Sequence, residues 1–242
     1  MKVRGLTWVF ATLVSSPAWG GPADYVFVPS VAYGEREIDF KYGLASSADD
    51  PRSQAASLGF GYGATGWWFT EFYLKYEREG AHTRFDAFEW ENKFQLTETG
   101  RYPVDVGLIA EFEAPRNRAE GYEFQFGPLF QTEFGRVQLN ANLLLKNVFR
   151  ADEENGTTMG YQWQAKYRWQ QTFEFGAQGF GEMGRWNHWA PTAEQNHRLG
   201  PAVFGKFNVG GHQAIVYNSA LLFALTKAAP DRTFLLQMEY EF

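Results

Sequence analysis

FLLQMEYEF, the stretch at residues 234–242, alternates between two kinds of side chain. One set is apolar or aromatic: Phe234, Leu236, Met238, Tyr240 and Phe242. The intervening set is polar apart from its first member: Leu235, Gln237, Glu239 and Glu241. Because successive side chains of a β-strand point to opposite sides, the stretch predicts a strand with one apolar face and one polar face.

The same period of two recurs along most of the chain. In one segment the apolar set is Tyr161, Trp163, Ala165, Tyr167 and Trp169, and the polar set is Gln162, Gln164, Lys166 and Arg168. In another, leucines and Ala141 alternate with Gln138, Asn140 and Asn142. A soluble β-sandwich also alternates, but repeated segments of about ten residues are typical of transmembrane strands. Twelve such segments are predicted, at 31–42, 55–64, 67–78, 84–96, 102–113, 121–133, 137–149, 159–169, 173–183, 197–207, 212–225 and 233–242.

The predicted fold is therefore all-β: one antiparallel transmembrane β-barrel over residues 31–242, with about 12 strands and with 10 or 14 as alternatives. The connections alternate in length, as the periplasmic turns and outer loops of such barrels do. The connection at 79–83 is short and departs from this alternation. Aromatic residues expected at the membrane interfaces are Trp67, Trp68, Tyr102, Trp169, Trp186 and Trp189.

The N-terminus carries a pattern of its own. Lys2 and Arg4 precede an apolar run at 6–14, and the small residues Ala18 and Gly20 follow it. The run is too short to cross a hydrocarbon core of about 30 Å, so it predicts a cleaved signal peptide at residues 1–20 and not an anchor. Residues 21–30 are then expected to form a periplasmic N-terminal segment ahead of the barrel.

Composition excludes several function classes. The 242 residues include no Cys, which rules out disulfides and thiolate chemistry. A formal net charge of −6 gives no support to nucleic-acid binding, which needs a basic surface. Aromatic residues reach 18%, and this abundance beside many charged residues favours a surface that meets lipid.

These features together resemble the Gram-negative outer-membrane β-barrel proteins, a porin-like class, over residues 21–242. The end LLQMEYEF (235–242) is similar to the terminal strand that the barrel-assembly machinery reads. The resemblance implies an assembly signal formed by Phe234, Leu236, Met238, Tyr240 and Phe242. It also implies the outer membrane as location, and its lipid, lipopolysaccharide and the assembly machinery as partners. No motif identifies a subfamily.

The strand register predicts which charged side chains face the barrel lumen. An acidic wall is expected from Glu71, Glu89, Glu91, Asp105 and Glu111. A basic wall is expected opposite it, from Lys146, Lys166, Arg168 and Lys206. Opposed charges would hydrate a pore and orient polar solutes in it. They could equally pair across the lumen and fill it, because twelve strands enclose a narrow interior.

Enzymatic motifs are weak in this sequence. There is no G-x-S-x-G elbow and no H-E-x-x-H pattern. His188, Glu194 and His197 could bind a divalent cation, but their spacing is not specific. We therefore predict no catalytic residue, no metal site and no cofactor. The function predicted is a narrow channel or facilitator for small hydrophilic solutes. An outer-membrane enzyme acting on lipid or lipopolysaccharide, and a structural or adhesion barrel displaying its loops, remain the alternatives.

Overall fold

The computed structural model describes residues 21–47, 52–79, 82–152 and 156–242, so the predicted signal peptide lies outside the described residues. The strands are β1 (Arg36–Ser46), β2 (Ser53–Gly63), β3 (Trp68–Glu79), β4 (His82–Gln95), β5 (Asp105–Pro115), β6 (Tyr122–Phe134), β7 (Val137–Phe149), β8 (Thr158–Gln170), β9 (Phe173–Arg185), β10 (His188–Trp189), β11 (Asn196–Gly210), β12 (Gln213–Ala224) and β13 (Arg232–Glu241). A short 3₁₀ helix spans Arg118–Glu120. Among the described residues, no helix is long and apolar enough to cross a bilayer.

Twelve long strands close into one antiparallel barrel. Each pairs with its neighbours in the sheet, β8 pairs with β9, and β13 pairs with β1. The two-residue β10 only extends a hairpin from β9. The prediction of a single twelve-stranded antiparallel barrel is confirmed.

The largest boundary error concerns the first strand, which was expected at 31–42 and lies at Arg36–Ser46. Residues before it turn at Gly34, whose φ of 78° is the left-handed conformation that glycine adopts freely. The strand then continues past Tyr42 because β2 and β13 both pair with it as far as Ala45.

The two ends of the barrel differ in their connections. The turn end carries the connections 64–67, 96–104, 135–136, 171–172 and 211–212, the start of β1 and the end of β13. The loop end carries the remaining connections, of which 186–195 is the longest. Both termini of the closed sheet therefore lie at the turn end.

The outer face of the barrel is apolar and aromatic. Phe72 of β3 stacks against both Phe88 and Trp90 of the neighbouring strand β4. Exposed aromatic residues also lie near both ends: Trp67, Tyr102 and Trp169 at the turn end, and Trp186 and Trp189 at the loop end. Such a face cannot be stable in water over so large an area, whereas a bilayer accommodates it.

Residues 22–32 run inside the barrel. Residues 21–30 were expected to form a periplasmic segment, because an irregular stretch of this length has no periodic signal that would place it in the interior. Phe27 packs in a buried cluster with Ile109, Leu129 and Leu144 of β5, β6 and β7. Val26 packs in a second buried cluster, with residues of β9, β11, β12 and β13. Residues 22–32 are called the inner segment below.

Candidate functional site

The inner segment descends from the loop end to the turn end of the lumen. A Cβ atom placed on Gly43, near the loop end of β1, would lie 1.7 Å from the carbonyl oxygen of Pro22. A Cβ placed on Gly63, at the turn end of β2, would lie 1.9 Å from the carbonyl oxygen of Ala32. Glycine at both positions lets the wall and the segment approach backbone to backbone.

The middle of the inner segment is held by two carboxamides. The backbone N–H of Phe27 donates to Oε1 of Gln162 at 3.3 Å, and Nδ2 of Asn142 donates to the carbonyl oxygen of Phe27 at 3.0 Å. Asn142 also donates to Gln162 at 3.2 Å. Both polar groups of the Phe27 residue are thereby satisfied inside the barrel, as buried backbone groups must be.

Charged and aromatic contacts hold the rest of the inner segment. Nη2 of Arg198 lies 3.0 Å from Oδ2 of Asp24, and the arginine side chain is only 3% exposed. Tyr25 donates its hydroxyl proton to Glu91, and Nζ of Lys41 lies 3.3 Å from the centre of the Tyr25 ring. The backbone N–H of Val31 donates to Oε1 of Gln95 at 2.7 Å. The segment therefore touches opposite sides of the lumen.

The structure places all five residues of the predicted acidic wall on the inner face of β3, β4 and β5. Glu71, Glu91, Asp105 and Glu111 are buried, and Glu89 is half-buried. Asp105 lies at the turn end, where it accepts a hydrogen bond from the backbone of Gly100 at 2.8 Å. The other four lie deeper, and two lysines share this region with them.

Those two lysines reduce the net charge of the acidic wall. Nζ of Lys75 lies 2.9 Å from Oε2 of Glu89 and also binds Glu113. Nζ of Lys41 lies 3.2 Å from Oδ2 of Asp39 and is almost fully buried. The acidic wall thus contains cations paired with some of its carboxylates.

Each residue of the predicted basic wall is bound to a carboxylate. Lys146 lies 2.9 Å from Glu123, Lys166 lies 3.1 Å from Glu174, Arg168 lies 2.9 Å from Glu133, and Lys206 binds Glu241. Glu123, Glu133 and Glu174 were missed, although each occupies an inward position of its own strand pattern. Their alternation with apolar neighbours was the available signal.

A group of carboxylates is the one arrangement with metal-ligand geometry among the described residues. Oxygen atoms of Glu89, Glu91 and Glu111 lie within 4.8 Å of one another. His188, Glu194 and His197 form no such group. Tyr161 and Gln195 lie within hydrogen-bonding distance of the two ring nitrogens of His197, at 2.9 and 2.6 Å.

Comparisons with known proteins reveal the fold and no family. No family profile and no curated protein matches the sequence. Among solved structures, the chain is similar to an outer membrane channel from Pseudomonas putida F1, with 12% identity, a TM-score of 0.58, and coverage of 90% of this chain and 98% of that one. It is also similar to the NanC porin, with 9% identity, a TM-score of 0.53, and coverage of 85% and 98%. The chain therefore has the fold of outer-membrane β-barrel channels.

Proposed function

We propose that this protein is an outer-membrane channel for small hydrophilic solutes whose lumen is closed by its own inner segment. The observation that carries the proposal is the set of charged and carboxamide side chains around residues 22–32, which lie in the interior of a barrel whose outer face is apolar. A barrel that served only as a scaffold could fill its interior with apolar side chains. The similarity in fold to a channel and a porin supports the same interpretation.

The way the inner segment is attached favours a removable closure. Strands of the barrel are joined by continuous ladders, such as the ten paired positions between β1 and β13. The inner segment forms no strand and therefore no such ladder. It is held by the hydrogen bonds of Asn142 and Gln162 to Phe27, by the Arg198–Asp24 ion pair, by single bonds at Tyr25 and Val31, and by the packing of Val26 and Phe27 in the two buried clusters. An element without ladder hydrogen bonds opens at lower free energy than the sheet that surrounds it.

Targeting and orientation belong to the same proposal. Residues 1–20 direct export and are cleaved, and the barrel-assembly machinery recognises the last strand with Phe242 at its end. The turn end then faces the periplasm, the loop end faces lipopolysaccharide and the medium, and the outer aromatic face contacts lipid. The inner segment joins β1 at the periplasmic end, which leaves it free to withdraw in that direction.

Conductance tests the proposal. Purified protein in a planar bilayer is compared with a variant lacking residues 23–31, which keeps the predicted cleavage junction and the Gly34 turn. Heat-modifiable migration on gels verifies that the variant is a folded barrel. We expect rare or small current steps from the intact chain and larger ohmic steps from the deletion.

Two outcomes would contradict it in different ways. If both folded proteins give the same large current, residues 23–31 do not close the lumen. If neither folded protein conducts, the barrel is not a solute channel, and assays of lipid hydrolysis and of surface adhesion on the same samples would then examine the alternatives.

A further inference from the structure

Four neighbouring strands each contribute one carboxamide to a row across the inner wall. Gln131 of β6 is paired with Asn140 of β7, Asn140 with Gln164 of β8, and Gln164 with Gln178 of β9. All four side chains are buried with the inner segment in place. The row is uncharged, in contrast to the ionic wall formed by β3, β4 and β5.

The carboxamides of the row bind one another head to tail. Nε2 of Gln178 donates to Oε1 of Gln164 at 3.1 Å, and Nε2 of Gln164 donates to Oδ1 of Asn140 at 3.1 Å. Nδ2 of Asn140 donates to Oε1 of Gln131 at 2.9 Å. This chain fixes the orientation of every amide, so each presents its remaining hydrogen-bonding capacity in a defined direction.

Two buried oxygen atoms can still accept a hydrogen bond, one in the row and one in the neighbouring pair Asn142 and Gln162 that binds Phe27. Oε1 of Gln178 and Oδ1 of Asn142 are buried acceptors with no partner. Buried polar groups are paired in the great majority of cases, so each of these oxygens has the capacity to accept a hydrogen bond from a further donor, whether a water or a solute hydroxyl. Both oxygens lie on the inner face of the wall, and Asn142 is the residue that binds Phe27.

Aromatic rings adjoin the carboxamides. Phe180 of β9 is the register partner of Gln162, and Phe204 of β11 packs in the same buried cluster as Phe180. Lys166 and Arg198 lie over the rings of Phe204 and Phe180, at 5.4 and 5.9 Å from the ring centres. The carboxamides themselves suit a ligand that carries several hydroxyl groups, because a hydroxyl both donates and accepts. The row itself carries no charge, and the cations beside it, Lys166 and Arg198, are already paired with Glu174 and Asp24.

We propose that the carboxamide row, with Asn142 and Gln162, is a binding site for a neutral polyhydroxylated solute, of the saccharide class, that becomes accessible when the inner segment withdraws. The proposal rests on the proposed channel function. In the closed state the peptide group at Phe27 occupies part of the site as a substitute ligand. An extended peptide is about 5 Å by 10 Å in cross-section, so its departure leaves space for a single file of sugar rings.

The test uses the full chain carrying Asp24→Asn, which we expect to release the inner segment, and maltose as the probe. Saturation-transfer NMR on the detergent-solubilised protein measures binding, and current through a planar bilayer is recorded separately. We expect saturation transfer to maltose, and maltose-dependent interruptions of the current. Gln164→Met should weaken the affinity about tenfold, as the loss of one hydrogen bond implies.

Gln237→Met is the matched control, because Gln237 is also an inner carboxamide but bonds to Asp39 and Glu239 outside the row. It should leave maltose affinity unchanged. The inference is overturned if maltose gives no saturation transfer, if Gln164→Met and Gln237→Met behave alike, or if gluconate or a capped dipeptide binds as well as maltose. Binding of maltose without any current would support the site and contradict the channel, so the two failures are distinguishable.

Discussion

Replacing Asp24 by Asn should open the channel, and the buried environment of Arg198 sets the size of the effect. The Arg198 side chain is 3% exposed and that of Asp24 is 21% exposed, so solvent screens this pair little. Removing one partner of a buried ion pair costs about 3–5 kcal/mol because a charge is left uncompensated. Asn retains one hydrogen-bond acceptor, so we take the lower end, about 3 kcal/mol.

That cost falls on the closed state, because withdrawal of the inner segment lets water reach the Arg198 guanidinium. The ratio of open to closed channels should therefore rise roughly 100-fold, at about 1.4 kcal/mol per factor of ten. Open probability in single-channel recordings measures this ratio directly. Arg198→Met alone should also raise the open probability. The double variant, Asp24→Asn with Arg198→Met, should have a lower open probability than either single variant, because it leaves no charge without a partner.

Glu133→Gln is the matched control for Asp24→Asn. It removes a carboxylate from the ion pair with Arg168, whose side chains are 43% and 41% exposed at the turn end. Open probability should not change. An open probability of Asp24→Asn as low as that of the unmodified protein, or an equal rise in the control, would refute a role of the Arg198–Asp24 pair in closing the channel.

Three further predictions concern the lumen and assembly. Gly43→Ala should raise the open probability, because its Cβ would lie 1.7 Å from the backbone of the inner segment. Gly66→Ala is the control and should leave the open probability unchanged, because its Cβ would have no atom within 4 Å; equal currents from the two variants would contradict the prediction. In the protein lacking residues 23–31, the double variant Glu89→Gln and Glu91→Gln should shift the reversal potential measured in a salt gradient towards anion selectivity. The shift should be larger at low salt than at high salt, because salt screens the wall charges, and a shift towards cation selectivity would refute the acidic wall. The backbone N–H of Phe242 donates to the carbonyl oxygen of Arg36 at 2.8 Å, where the barrel closes. Deleting Phe242 should therefore lower the yield of heat-modifiable protein in outer-membrane fractions, and an unchanged yield would count against its role in assembly.

The architecture could be predicted because its signal is local. Alternation along residues 234–242 reports which face of one strand meets lipid, and neighbours in sequence suffice to read it. Repeated twelve times, it implies closure, since an open sheet edge would leave unpaired backbone groups in the hydrocarbon core. The inward positions of Glu71, Glu91 and Lys146 follow from the same period.

Only the tertiary structure decided what those inward side chains meet. Lys146 binds Glu123 and Lys206 binds Glu241 because strand register brings them together, and register depends on pairing between residues distant in sequence. The row from Gln131 to Gln178 exists for the same reason. The path of residues 22–32 had no periodic signal at all: its position results from Phe27 and Val26 burying their side chains in a cavity that forms only when the barrel closes.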